Sequence, residues 1–139
     1  MSSQFSEIGT KGLQFIRELI PMASKLAVLG DPSNPGTNVM LMRIGEVALT
    51  LQFKTEFYGI RKSDDFTTTF TAIVRDRPDA LFIIPDPFLY TQRARIINFA
   101  LTNRIPAMYG LREYVTDGGL IALGPDRDKM AGRAAVLVD

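Results

Sequence analysis

A chain of 139 residues, 46% of them hydrophobic, has the length of one domain and enough apolar mass to bury a single core. Lys and Arg number 16 against 15 Asp and Glu, with no long run of either sign, which excludes the concentrated basic footprint of a nucleic-acid or membrane-surface binder. The absence of both Cys and His removes disulfide frameworks, thiol nucleophiles, imidazole bases and the commonest zinc ligands, and with them most catalytic machinery.

Residues 1–9 read as a linker or hinge-side segment, without the basic stretch and apolar run of a signal peptide, and 10–139 as one α/β lobe. No apolar run approaches the roughly 20 residues of a membrane-spanning helix. The first helix is predicted from Thr10, as N-cap, to Ile20, with Leu13, Ile16, Leu19 and Ile20 at helical spacing and Pro21 closing it. Lys25 to Gly30 is a short apolar run that empties into the turn formers Asp31-Pro32-Ser33-Asn34-Pro35-Gly36, hence a strand and its loop. From Thr37 to Gln52 the positions Leu41, Ile44, Ala48 and Leu51 share a helical face. Val39, Met40 and Met42 make its opening turns apolar all round, an excess suited to covering a partner surface.

Phe53 to Ile60 is predicted as the second strand. A helix capped by Ser63 follows, with Phe66, Phe70, Ile73 and Val74 inward and Asp64 and Asp65 at its positive end. Ala80 to Ile84 is apolar without alternation, as in a strand covered on both faces, and stops at Pro85-Asp86-Pro87. Thr91 to Arg104 reads as a helix with Ala94, Ile97 and Leu101 inward, and Ile105 to Tyr109 as the fourth strand. A short helix over 111–116, a fifth strand from Leu120 to Leu123 and a last helix capped by Asp126 complete the chain. This alternation predicts a doubly wound, open, parallel five-stranded sheet with helices on both faces.

In such sheets ligands bind beyond the carboxyl ends of the strands. The candidates there are Asn34 after the first strand, Asp86 after the third, Tyr109, Arg112 and Glu113 around the end of the fourth, and Asp126 after the fifth. Asp86 is the most informative, because prolines on both sides fix where its carboxylate stands, and a rigid acid suits a ligand ammonium group. The alternative for Asp86 is helix capping, for Asn34 turn formation, and for Arg112 and Glu113 a surface pair with each other. Phe57, Tyr58, Phe88, Tyr90, Tyr109 and Tyr114 suit either an aromatic ligand wall or the core, and the core accounts for most of them. A dinucleotide loop is excluded, since Pro32 and Pro35 remove amide donors where a phosphate would need them. A phosphoacceptor domain fails for want of a second acid beside Asp31 and a lysine after the fifth strand.

Several motifs occur in order. They are Leu26-Ala27-Val28-Leu29 with Asn34-Pro35, Asp79-Ala80-Leu81 with Pro85-Asp86-Pro87, Arg93-Ala94-Arg95-Ile96, Ile105 through Val115, Gly118-Gly119-Leu120, and Gly124-Pro125-Asp126. With them the chain from Lys11 to Asp139 resembles the ABC transporter substrate-binding proteins of the tryptophan and tyrosine uptake type, which have a type I periplasmic-binding fold. The resemblance implies a two-lobed protein that closes on a small ligand, an amino acid and in particular an aromatic one, and delivers it to a membrane permease. It implies a periplasmic or extracytoplasmic site of action and no cofactor. Against that family pattern the chain is the size of one lobe, lacking the first, and has Ala122-Leu123-Gly124 where the family commonly carries Ser-Tyr-Gly. The function expected is therefore solute binding without chemistry. A sensory or protein-interaction module of the same fold, with homodimerisation, is the alternative, and a carboxylate hydrolase using Asp31 or Asp86 ranks below both.

Overall fold

The computed structural model of the chain describes residues 3–110, 120–123 and 135–136. In chain order the elements are α1 (Ser3–Leu19), β1 (Lys25–Gly30), α2 (Pro35–Leu51), β2 (Lys54–Gly59), α3 (Asp65–Asp76) and β3 (Ala80–Ile83). There follow α4 (Pro87–Thr91), α5 (Arg93–Thr102), β4 (Ala107–Gly110), β5 (Leu120–Leu123) and β6 (Ala135–Val136). They form one sheet of order β2-β1-β3-β4-β5-β6. The fold class is the expected one, α/β with helices on both faces of a parallel sheet, but the parallel part has four strands rather than five: β5 runs antiparallel to β4, pairing Gly110 with Leu120 and Ala107 with Leu123. A four-residue apolar run carries no mark of direction, so only the partner strand could reveal it.

Two apolar layers sandwich the sheet. On one face α1 and α2 bring Leu13, Ile16, Met40 and Ile44 onto Leu26, Val28, Phe82 and Met108. On the other, α3, α4 and α5 bring Phe66, Ile73, Leu89 and Phe99 onto Leu29, Leu81, Ile83 and Ala107. Both β1 and β3 are covered on both sides, which explains their unbroken apolar sequences.

Three helices differ from their sequence reading. α1 begins at Ser3, so residues 3–9, expected as a linker, continue the helix and Thr10 lies inside it rather than capping it. In α3 the N-cap position is Asp64, not Ser63; Val74 is 44% exposed, and Thr69 takes a buried place beside Phe66 and Ile73. The helix expected over Thr91–Arg104 is two: α4 starts at Pro87 and the chain breaks at Gln92 before α5. Ile96, Phe99 and Ala100 are buried there, while Ala94 is exposed. Spacing alone fits either stripe; the bulkier one faces the sheet because the start at Pro87 and the break at Gln92 set the rotation of α5. Among the described residues no helix is long and apolar enough to cross a membrane.

Candidate functional site

The connections reverse direction between β1 and β3. From β1 the chain passes through α2 to β2 on one side; from β3 it passes through α4 and α5 to β4 on the other, over the opposite face of the sheet. The loops leaving these neighbouring strands thus diverge, and this switch point is where open α/β sheets form their ligand crevice.

Asn34 and Asp86 stand on the two sides of that crevice, and the same local chemistry puts each there. Each has extended backbone, precedes a proline at the first helical position and caps the helix that follows: Asn34 Oδ1 accepts from Gly36 N at 2.9 Å, and Asp86 Oδ2 accepts from Leu89 N at 3.0 Å. The free ends of the two side chains then meet, with Asn34 Nδ2 donating to Asp86 Oδ1 at 2.5 Å. One amide and one carboxylate therefore bind the starts of α2 and α4 together across the crevice. Asp86 is only 7% exposed, and each of its oxygens keeps a lone pair beyond these bonds.

Asp31, also buried, folds its loop by accepting from Ser33 N at 2.9 Å and Ser33 Oγ at 2.6 Å. Its neighbour Gly30 ends β1 where a Cβ would stand 3.0 Å from the Thr37 methyl, and Gly59, paired with it at the end of β2, is similarly close to Pro32. These two glycines let the rim loops sit directly on the strand ends. Thr37 is fully buried in the first turn of α2, and its hydroxyl has no hydrogen-bond partner among the described residues.

A concavity of about 590 Å³ opens at the carboxyl end of β2, lined by Pro32, Gly59, Arg61, Lys62, Asp65 and Thr69 among others. Asp65 reaches back from α3 to accept from the Arg61 and Lys62 amides, chiefly the former, and these bonds hold its carboxyl below the usual range. The sequence reading passed over the loop after the second strand, although the rule that selected the other strand ends applied to it equally.

Of the six candidates the structure brings Asn34 and Asp86 into contact. Tyr109 lies in β4 as its third residue, its side chain outside what is described, and Arg112, Glu113 and Asp126 lie outside the described residues. The antiparallel β5 nonetheless bears on them. Gly110 and Leu120, which flank the segment holding Arg112 and Glu113, pair at the carboxyl edge; Leu123, which leads toward Asp126, pairs with Ala107 at the opposite edge. The fifth strand is antiparallel, so the sequence-based ground for placing Asp126 on the rim does not hold, and Asp126 itself lies outside the described residues. Among the aromatics, Phe57 packs toward α1 and α2, and Tyr58 and Phe88 pack with α3 to α5, as core placement predicts.

The doubly wound arrangement, with its switch point framed by two polar caps, has the fold of one lobe of the periplasmic-binding type. Solved structures agree. An ABC domain from Streptococcus pneumonia in complex with L-Trp superposes with a TM-score of 0.68 at 11% identity, covering 79% of this chain and 42% of that one. The ligand-free, open form of a substrate binding protein with adhesive properties from Clostridium difficile also gives 0.68, at 16% identity, covering 92% of this chain and 59% of that one. In sequence the chain is similar to a tyrosine-binding protein of Clostridioides difficile, 22% identical over 127 residues. That match takes in 91% of this chain and 36% of its relative, so the chain spans about a third of the curated protein's length. No family model matches the chain.

Proposed function

We propose that this chain is the ligand-gripping lobe of a solute-binding component of an ABC-type uptake system, working outside the cytoplasm and binding a small molecule such as an amino acid without chemistry. The observation that carries the reading is the Asn34–Asp86 pair at the switch point: a nearly buried carboxylate, aimed by two helix caps, with lone pairs left for a ligand ammonium group. The tyrosine-binding relative and the L-Trp complex of the structural neighbour favour an aromatic amino acid. Tyr109, Arg112 and Glu113 are the further contacts we assign, the latter two because their segment is flanked at the same edge by Gly110 and Leu120. A second lobe closing over this one would supply the remaining contacts, its closure favoured by the ligand that both lobes touch, and a permease would receive the ligand. A second copy of the chain is another candidate partner, since α2 carries exposed apolar side chains.

A thermal-shift screen of the chain against the L-amino acids at millimolar concentration tests this. Ligand at about 100 times its dissociation constant stabilises by roughly 2.7 kcal/mol, so the expected result is a shift for aromatic amino acids, smaller than that of a two-lobed protein because one lobe supplies only part of the contacts. Asp86→Asn should keep the fold and lose most of the shift. If no amino acid shifts the melting curve, or if Asp86→Asn shifts with the parent, the binding site is not here and the sensory or interaction module becomes the better reading.

A further inference from the structure

The outer face of α2 is unusually apolar for a surface helix. Val39, Met42 and Leu49 are 43%, 71% and 80% exposed, while Met40, Ile44 and Ala48 on the inner face are buried in the core. The exposed positions are not scattered. Val39, Met42, Glu46 and Leu49 follow each other at spacings of three, four and three residues, which is the a–d–a–d seam of a short coiled coil. Arg43 flanks this seam and holds Glu46 at 3.2 Å, both side chains being largely exposed. Gly45 flanks it on the other side, and open space surrounds the position its Cβ would occupy.

We propose that this face is a self-association surface, on which α2 of one copy packs antiparallel against α2 of a second. The seam is self-complementary in that direction alone. An antiparallel twofold axis level with residue 44 sets Val39 against Leu49 of the other copy and Met42 against its Glu46, so that every a position meets a d position as antiparallel packing requires. It also brings each Arg43 to the Glu46 of the other copy, so that two guanidinium groups and two carboxylates alternate about the axis. Glu46, a poor seam residue alone, is thereby neutralised from both copies. In the parallel direction Glu46 would face Glu46, with no cation in the layer to separate the two. The lack of a side chain at Gly45 removes one obstacle to close approach at the middle of the contact.

A seam on one 17-residue helix is about 26 Å long and buries far less than a standard interface, so the dimer is a weak one. Sedimentation equilibrium of the chain from about 10 µM to about 1 mM should show a monomer–dimer equilibrium with a dissociation constant on the order of 0.1 mM. Each substitution acts twice across a twofold axis. Leu49→Lys and Glu46→Arg should each weaken association at least about fivefold, and Arg43→Glu should do likewise. The double exchange, Arg43→Glu with Glu46→Arg, should bring the constant back to within about threefold of the parent, since it restores the alternation of charge. All three positions lie outside the core, so melting temperatures measured under dilute conditions report whether each variant is folded. A chain monomeric throughout the range overturns the proposal, and so does association that Leu49→Lys leaves unchanged or that the double exchange fails to restore.

Discussion

Arg17 shows how one residue can tie several segments of this lobe together. Near the end of α1 its guanidinium donates to the carbonyls of Pro21 at 2.9 Å, Ala23 at 2.7 Å and Leu51 at 2.6 Å, and lies 4.2 Å over the Phe53 ring. It thereby joins α1, the turn before β1 and the end of α2. Lysine carries the charge but not the planar fork, so Arg17→Lys should lower the unfolding free energy by about 1–3 kcal/mol in urea titrations. Asp79 does comparable work with a negative charge: Oδ2 accepts from Ser24 N at 2.9 Å and Lys25 N at 3.0 Å, and these backbone bonds hold its carboxyl below the usual range. A carboxyl whose pKa is lower folded than unfolded contributes stability above its unfolded value, near 4, and loses that contribution as pH falls through the folded value. Asp79→Asn should therefore be destabilising at pH 7 and show a flatter loss of stability as pH falls below about 4, measurable by urea melts at each pH.

At the level of elements, two helical glycines have opposite meanings. Gly12 faces the sheet, where an added Cβ would come within 2.5 Å of the Phe82 ring and 3.4 Å of Met108, so its missing side chain sets how closely α1 lies on β3 and β4. Gly45, on α2, has nothing within 4 Å. Gly12→Ala should cost about 1–3 kcal/mol through overpacking, despite alanine's better helix propensity, whereas Gly45→Ala should stabilise by about 0.5–1 kcal/mol. Thermal or urea unfolding of the pair decides both, and a loss on Gly45→Ala would mean that something other than propensity governs α2. The caps of α2 and α4 were legible as types, because Asn-Pro and Asp-Pro each announce a helix start. That their side chains would bond to each other was not, since the contact spans 52 positions and depends on β1 and β3 being neighbours.

Over the whole molecule, stability should follow position in the sheet. β1 and β3 are central, with side chains buried from Leu26 to Leu29 and from Ala80 to Ile83, whereas β2 is an edge strand exposed at Lys54, Thr55 and Glu56. Native-state hydrogen exchange should find the slowest amides in β1 and β3 and faster ones in β2; uniform protection across the three would contradict this ordering. The lobe's architecture was largely written in the sequence, because apolar runs between turn formers, and helical stripes between them, are properties of neighbouring residues. The chain also showed by itself that the strand from Ala80 is covered on both faces and which residue types end the strands. Only the tertiary structure decided the direction of β5, the rotation of α5, and the meeting of Asn34 with Asp86. Each of these depends on what a segment packs against, and a four-residue strand, a helix with two apolar stripes or a capping side chain does not encode its partner locally.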